Sequence, residues 1–263
     1  MDDTVPVLEL LQISKQFSGL QALREVSFTV RRGTITALIG PNGAGKSTVF
    51  NLVSGLDRQT SGTLLFDGSD IGDLPAFRRP ALGLARIFQT PRIFEYLSVL
   101  ENVMVGFSGR LKSDFFGCGL RLSSARREEH DMIRDSTELL GFVGLEDLRH
   151  RPAGTLAFGG QRLLEFARAL ATRPKLLLLD EPTAGLTPAE TDAFAAMLKT
   201  LLERGVTTLI VEHDINFITS ISDKVVVLAY GEKIFEGRPI DLRSEQRVID
   251  AYLGPRRMRD AEG

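Results

Sequence analysis

Gly40-Pro41-Asn42-Gly43-Ala44-Gly45-Lys46-Ser47-Thr48 lies between the apolar run Thr34 to Ile39 and the stretch Val49-Phe50-Asn51-Leu52-Val53. The pattern reads as a strand, a glycine loop and a helix, with the spacing G-x-x-x-x-G-K-S. Gly40, Gly43 and Gly45 admit backbone angles closed to residues with a Cβ, so that successive N–H groups turn inward around an anion. A helix starting near Lys46 adds its positive end. Lys46 is spaced to reach terminal phosphates as a point charge, and Ser47 to offer a hydroxyl to a magnesium ion bridging phosphate oxygens. The alternative, a glycine-rich turn that binds nothing, leaves the strand-before and helix-after context unexplained. The stretch predicts nucleotide binding.

Outward from this loop, the whole chain narrows the class. Its 263 residues with 43% hydrophobic content suit one large domain, or a core with a smaller insertion. The formal net charge of -2 provides no overall attraction to nucleic acid. The single cysteine, Cys118, excludes an intrachain disulfide and points to a reducing compartment. An acidic Met1-Asp2-Asp3-Thr4 without a long apolar stretch behind it argues against a signal peptide. No segment reaches the ~18 apolar residues of a membrane span, so membrane association is expected to come through a partner.

Before the loop, Leu8-Glu9-Leu10 with Ile13, and then Val26 to Val30, read as short strands, with Arg31-Arg32-Gly33 as a turn. After it, Ser61 to Gly68 reads as a strand bounded by glycines, and Arg86-Ile87-Phe88 as a short strand ending in the amide of Gln89. Ser98 and Glu101 have capping-box spacing at a helix start. Gly106 to Leu122 reads as a loop or irregular insertion, and Ser123 to Leu140 as an exposed amphipathic helix. Leu156-Ala157-Phe158-Gly159-Gly160-Gln161-Arg162 forms a second glycine turn ahead of a helix from Leu163. Leu176 to Leu179 is a strand buried on both faces and ended by Asp180-Glu181. A helix from about Ala189 to Glu203, strands at Val206–Val211 and Val225–Leu228, a hairpin over Gly231–Gly237, a helical Gln246–Leu253 and a frayed end from Arg256 complete the chain. The fold class expected is α/β: a P-loop core with a mixed sheet, an antiparallel β subdomain and an inserted helical subdomain. Residues 1-89 and 166-240 form the core with its β subdomain, 90-165 the helical part and 241-263 the tail, within one domain over 1-263.

In a chain that already holds a phosphate cradle, Asp180 is the expected magnesium holder, and Glu181 the group that orients or deprotonates water at the γ-phosphate. The bland alternative is that Glu181 only solvates the strand end.

Taken together these stretches resemble the ATP-binding cassette (ABC) family along almost the whole chain. The resemblance implies that Phe17 stacks on adenine, although by itself it reads equally as a core phenylalanine. It implies that Gln89 senses the metal and γ-phosphate, that His213 is the switch histidine on the γ-phosphate, and that Ala157, Phe158, Gly159 and Gly160 face the ATP of an opposing subunit. The cradle residues Gly40, Pro41, Asn42, Gly43, Ala44, Gly45, Lys46, Ser47 and Thr48 then hold ATP, with Mg2+ on Ser47, Gln89 and Asp180. Ala157 departs from the common L-S-G-G-Q signature by lacking a serine hydroxyl. Thr187 stands where many members have aspartate. The form of the signature, a long insertion around residues 107 to 128 and the ending Arg247 to Gly254 look like the LivG-type ATPases of branched-chain amino acid importers. That implies an ATPase at the cytoplasmic face of the inner membrane, held by two permease subunits and paired with a second cassette as homo- or heterodimer, with a periplasmic or extracellular binding protein acting through the permease and no nucleic acid partner. Urea or lipopolysaccharide transport ATPases share much of the pattern, and a soluble cassette scaffold, as in iron–sulfur cluster assembly, is the alternative from another class.

Overall fold

The computed structural model describes residues 6–107 and 123–253. In chain order the elements are β1 (Pro6–Phe17), β2 (Leu20–Arg31), β3 (Ile35–Ile39), α1 (Lys46–Ser54), β4 (Ser61–Phe66), β5 (Ser69–Asp70), α2 (Arg79–Leu82), β6 (Leu84–Ile87), α3 (Val99–Phe107) and α4 (Ser123–Phe142). There follow α5 (Phe158–Ala171), β7 (Leu176–Asp180), α6 (Pro188–Glu203), β8 (Thr207–Val211), α7 (Ile215–Ile221), β9 (Lys224–Ala229), β10 (Glu232–Gly237) and α8 (Gln246–Leu253). They divide between two compact units, Met1–Ala76 with Leu201–Gly263, and Phe77–Thr200.

In the first unit an antiparallel sheet runs β2-β1-β4-β5. The two short strands expected before the glycine loop are instead two 12-residue strands joined at Ser18-Gly19. Both turn residues have positive φ, at 37° and 95°, which matches the twist of a tight hairpin. The lengths were not legible because the alternation slips at irregularities in the β1–β2 register, and Gln12 and Glu25 adopt positive φ within the strands. The same unit holds strands in the order β10-β9-β3-β8, with β3 parallel to both β8 and β9 and β10 antiparallel to β9. Every residue of β3 and of β8 is buried, as continuous apolar runs in a parallel arrangement require. Asp223 accepts from the Ile35 N–H at 2.8 Å and Thr207 from the Gly33 N–H at 3.0 Å, which ties down the chain entering β3.

In the second unit β6 and β7 pair in parallel, Ile87 opposite Leu179. Helices α3, α4 and α5 pack on one another. Val99, Val103, Leu140 and Leu164 are among the buried residues of that unit, and the Phe166 and Phe194 rings lie 4.9 Å apart. The start of α3 carries the expected capping box, with Glu101 Oε2 accepting from the Ser98 N–H at 2.7 Å and Ser98 Oγ from the Glu101 N–H at 3.1 Å. Buried Asn102 donates to the carbonyls of Phe94 and Ser98 and accepts from the Phe94 N–H, which organises the irregular segment between Gln89 and α3. Helix α5 starts at Phe158, earlier than the sequence suggested, because Gly159 and Gly160 sit inside its first turn. Among the described residues no helix is long and apolar enough to cross a membrane. Most of the Gly106–Leu122 insertion, Cys118 and the Arg256–Gly263 end lie outside the described residues.

Candidate active site

The cradle leaves the end of β3 at Gly40 and closes at Gly45, which is the N-cap of α1 with φ 103°. Gly40, Gly43 and Gly45 all have positive φ. At two of them space also forbids a side chain: a Cβ on Gly40 would lie 2.1 Å from the Leu228 carbonyl oxygen, and one on Gly45 2.6 Å from Leu23 Cδ2 and 2.9 Å from the Ala22 carbonyl oxygen. Lys46, only 7% exposed, folds back across the loop and donates from Nζ to the carbonyls of Gly40 at 2.7 Å and Pro41 at 3.0 Å. The cationic head is thereby held over the loop. Ser47 follows on the first turn of α1, exposed.

Because β3 and β8 run parallel, with Leu38 opposite Val211, the chain leaves both strands at the same edge. His213 therefore emerges on the edge that carries the cradle, exposed, its N–H donating to Glu212 Oε2 at 3.1 Å. Asp214 caps α7 behind it, accepting from the N–H groups of Asn216 and Phe217. Phe17, at the end of β1, is 41% exposed, which removes the core reading of that residue. Its ring lies 4.5 Å from Lys15 Nζ. The Tyr252 phenol of α8 lies near the Gly40 main chain, which opposes the upward push of burial on its pKa. Nothing in the local pattern of Gln246–Leu253 signals that approach.

In the second unit, the carboxyl ends of β6 and β7 bring together residues more than 90 positions apart. Gln89 Nε2 donates to Glu181 Oε2 at 2.7 Å. Arg86 Nη2 donates to Asp180 Oδ2 at 2.9 Å. Arg162, on the first turns of α5 and 2% exposed, donates from Nη2 to the Gln89 carbonyl at 2.8 Å and from Nη1 to the Glu181 carbonyl. One fork thus clamps the main chain on both sides of the glutamine–glutamate pair. Glu181 itself has φ 48°, a left-handed conformation that costs about 1 kcal/mol or more for a residue with a Cβ and needs such support. Arg86 and Arg162 stand in the sequence without a role; arginines close to Gln89 and to the signature glycines are the only local signal of one.

Helix α5 begins behind Ala157, which provides no side-chain cap. Instead Gln161 Nε2 donates to the Leu156 carbonyl at 3.0 Å and steadies the turn. The uncapped first-turn N–H groups of a 14-residue helix suit a phosphate. Thr187 also has a clear local job: it forms a capping box with Glu190, whose Oε2 accepts from the Thr187 N–H at 2.7 Å and hydroxyl at 2.8 Å. These bonds hold the Glu190 carboxyl below the usual carboxylate range. The loop ahead of it packs on the signature, where a Cβ on Gly185 would touch the Phe158 ring at 3.3 Å.

The donor chemistry fits magnesium. Among the described residues no three His, Cys, Asp or Glu side chains cluster as a metal cage. Asp180 at the end of β7 and, in the other unit, Ser47 on α1 are each oxygen donors of the kind a small hard cation takes.

A family model described as ABC transporter matches residues 23–184. The chain belongs to the ABC transporter family. The high-affinity branched-chain amino acid transport ATP-binding protein BraF of Pseudomonas aeruginosa is 40% identical over 250 residues, covering 95% of this chain and 98% of that one. LivG of Escherichia coli strain K12, described in the same words, is 37% identical with the same coverage. Among solved structures, a nucleotide-free ATP-binding cassette from an ABC transporter superposes with a TM-score of 0.82 at 32% identity, over 95% of this chain and all of that one. A dimeric post-hydrolysis cassette bound to ADP and Pi matches with a TM-score of 0.76 at 26% identity, over 88% of this chain and 98% of that one. The ABC fold class read from the sequence is borne out, and this protein is an ABC ATPase cassette.

Proposed function

We propose that this ABC cassette hydrolyses ATP to power an importer of branched-chain amino acids. The observation that carries the catalytic reading is the Gln89–Glu181 hydrogen bond, with both main-chain carbonyls held by Arg162. The amide nitrogen of Gln89 is committed to Glu181, which leaves its Oε1 as the ligand for metal or water. Glu181 then orients and deprotonates the attacking water, and Asp180 and Ser47 would hold Mg2+. When bound, the metal would supply charge neutralisation to the phosphate. Lys46 and the cradle N–H groups offset charge on the transferring phosphoryl group. Phe17 stacks on adenine, and His213 contacts the γ-phosphate. The uncapped start of α5, from Ala157 to Gly160, serves the ATP of an opposing cassette, so the working unit is a dimer of cassettes.

Substitution Glu181→Gln tests the chemistry: ATP binding is retained and turnover falls at least a hundredfold, by roughly 3 kcal/mol or more of transition-state stabilisation. Turnover close to that of the native protein removes Glu181 from the mechanism. The likeness to BraF and LivG over nearly the whole chain supports the transport reading. Two permease subunits, a second cassette, and residence at the cytoplasmic face of the membrane follow from that reading. Affinity capture of the tagged chain from native membranes in mild detergent tests it. Recovery with permease chains, together with ATP-dependent leucine, isoleucine and valine uptake, supports the proposal. Recovery only with soluble partners overturns it in favour of a scaffold ATPase.

A further inference from the structure

Arg86 is an unusual choice for its position. It sits in β6 between buried Ala85 and buried Ile87, with its own side chain 8% exposed. A guanidinium so far out of water loses hydration that its acid partner, Asp180, has to offset. An apolar residue would fill such a strand position more cheaply. The guanidinium also lies against the Phe88 ring, 4.8 Å from its centroid, with Arg92 at 5.0 Å from the same ring. Its acid partner is the carboxylate assigned to the metal, itself only 13% exposed. Arg162 donates to the carbonyls of Gln89 and Glu181, and the Glu181 carboxylate accepts from Gln89.

We propose that Arg86 is the resident counter-ion of Asp180, a positioning residue that admits Mg2+ to Asp180 only together with the phosphates of a nucleotide. This rests on the reading of Asp180 as metal holder. A lone carboxylate at the end of a buried strand would attract free divalent cations. Paired at 2.9 Å with a guanidinium, it presents a nearly neutral face, and a divalent cation arriving alone meets repulsion from Arg86. A cation carried on triphosphate brings its own excess of negative charge and displaces or shares the pair. Arg86 thus trades metal affinity for selectivity toward the metal–nucleotide complex.

The test uses the full-length chain and a fluorescent ATP analogue, with affinity measured in Mg2+ and in EDTA. The ratio of the two reports metal coupling without reference to turnover. R86Q is expected to raise that ratio at least fivefold and to make Mn2+, titrated alone by electron paramagnetic resonance, bind detectably. R86K, which keeps the charge, is expected to stay within about twofold of the native ratio. An R86Q ratio equal to or below the native one overturns the proposal. D180N separates the two layers. If it leaves the ratio unchanged, the metal assignment itself fails. If it collapses the ratio while R86Q leaves it unchanged, only the role of Arg86 fails. A measurement on the native protein covers poor folding of R86Q: the Arg86 guanidinium signal in 15N NMR should ignore Mg2+ alone and move on addition of Mg2+ with ATP. Movement on Mg2+ alone overturns the proposal.

Discussion

Arg162 offers a sharp test of how the catalytic pair is held, because one side chain makes two charge-assisted bonds to carbonyls 92 residues apart. Bonds of this kind contribute about 1.5–3 kcal/mol each. Arg162→Met loses both, a gross ~3–6 kcal/mol, and regains part through relief of guanidinium burial, for a net loss of about 2–4 kcal/mol. Arg162→Lys keeps the charge, but an ammonium cannot span both carbonyls as the planar fork does, so about one bond is lost, ~1.5–3 kcal/mol. Against a domain stability of about 5–15 kcal/mol either loss is readable by urea unfolding. Turnover should suffer beyond stability. With its carbonyl released, Glu181 has less to keep it at positive φ, and Gln89 no longer meets its carboxylate in a fixed geometry. The expected order is therefore native, Lys, Met in both unfolding free energy and kcat, with ATP affinity changed less than kcat. If Arg162→Lys matches the native protein in stability and kcat within about twofold, the clamp is not what holds the pair.

Other outcomes follow from the same geometry. Gly45→Ala, at φ 103° with its Cβ pressed against Leu23 and the Ala22 carbonyl, should cost more thermal stability and nucleotide affinity than Gly43→Ala, whose Cβ meets nothing within 4 Å; equal effects in paired melting and binding experiments refute the steric reading. Phe17→Ala should weaken ATP binding about tenfold, for ~1–3 kcal/mol of lost stacking, while leaving competition by inorganic triphosphate unchanged. Glu165 in α5 is 3% exposed, and burial raises its carboxyl pKa above the usual glutamate range against the weaker opposing effects of the Arg92 N–H and of Arg168, Arg162 and Arg92. Between the unfolded and folded values the native state holds the extra proton, so the stability tied to Glu165 is present at low pH and is lost as pH rises through the folded value. Glu165→Gln should therefore gain stability relative to the native protein as pH is raised from about 4 through that window, measured by melting temperature; an opposite slope refutes the assignment.

The phosphate loop was legible because its information is local. Glycine is favoured where φ is positive and required where a carbonyl passes within 3 Å of the missing Cβ, as at Gly40 and Gly45, and an apolar run before and helix-forming residues after it fix the loop between strand and helix. The same holds for the Ser98–Glu101 box, for the buried leucines ending at Asp180, and for the hairpin ending in β10. Each depends on residues within a few positions of one another. Tertiary structure was needed where distant segments share charge or hydrogen bonds. The exposure of Phe17 depends on what packs around it, and the pairing of Arg86 with Asp180, the Gln89–Glu181 bond, the Arg162 clamp and the approach of Tyr252 to Gly40 bring together residues separated by dozens to hundreds of positions. No periodicity encodes such a pairing. The energy that selects it, the cost of burying an unpaired charge or an unmet carbonyl, is incurred only once the strands and helices have packed.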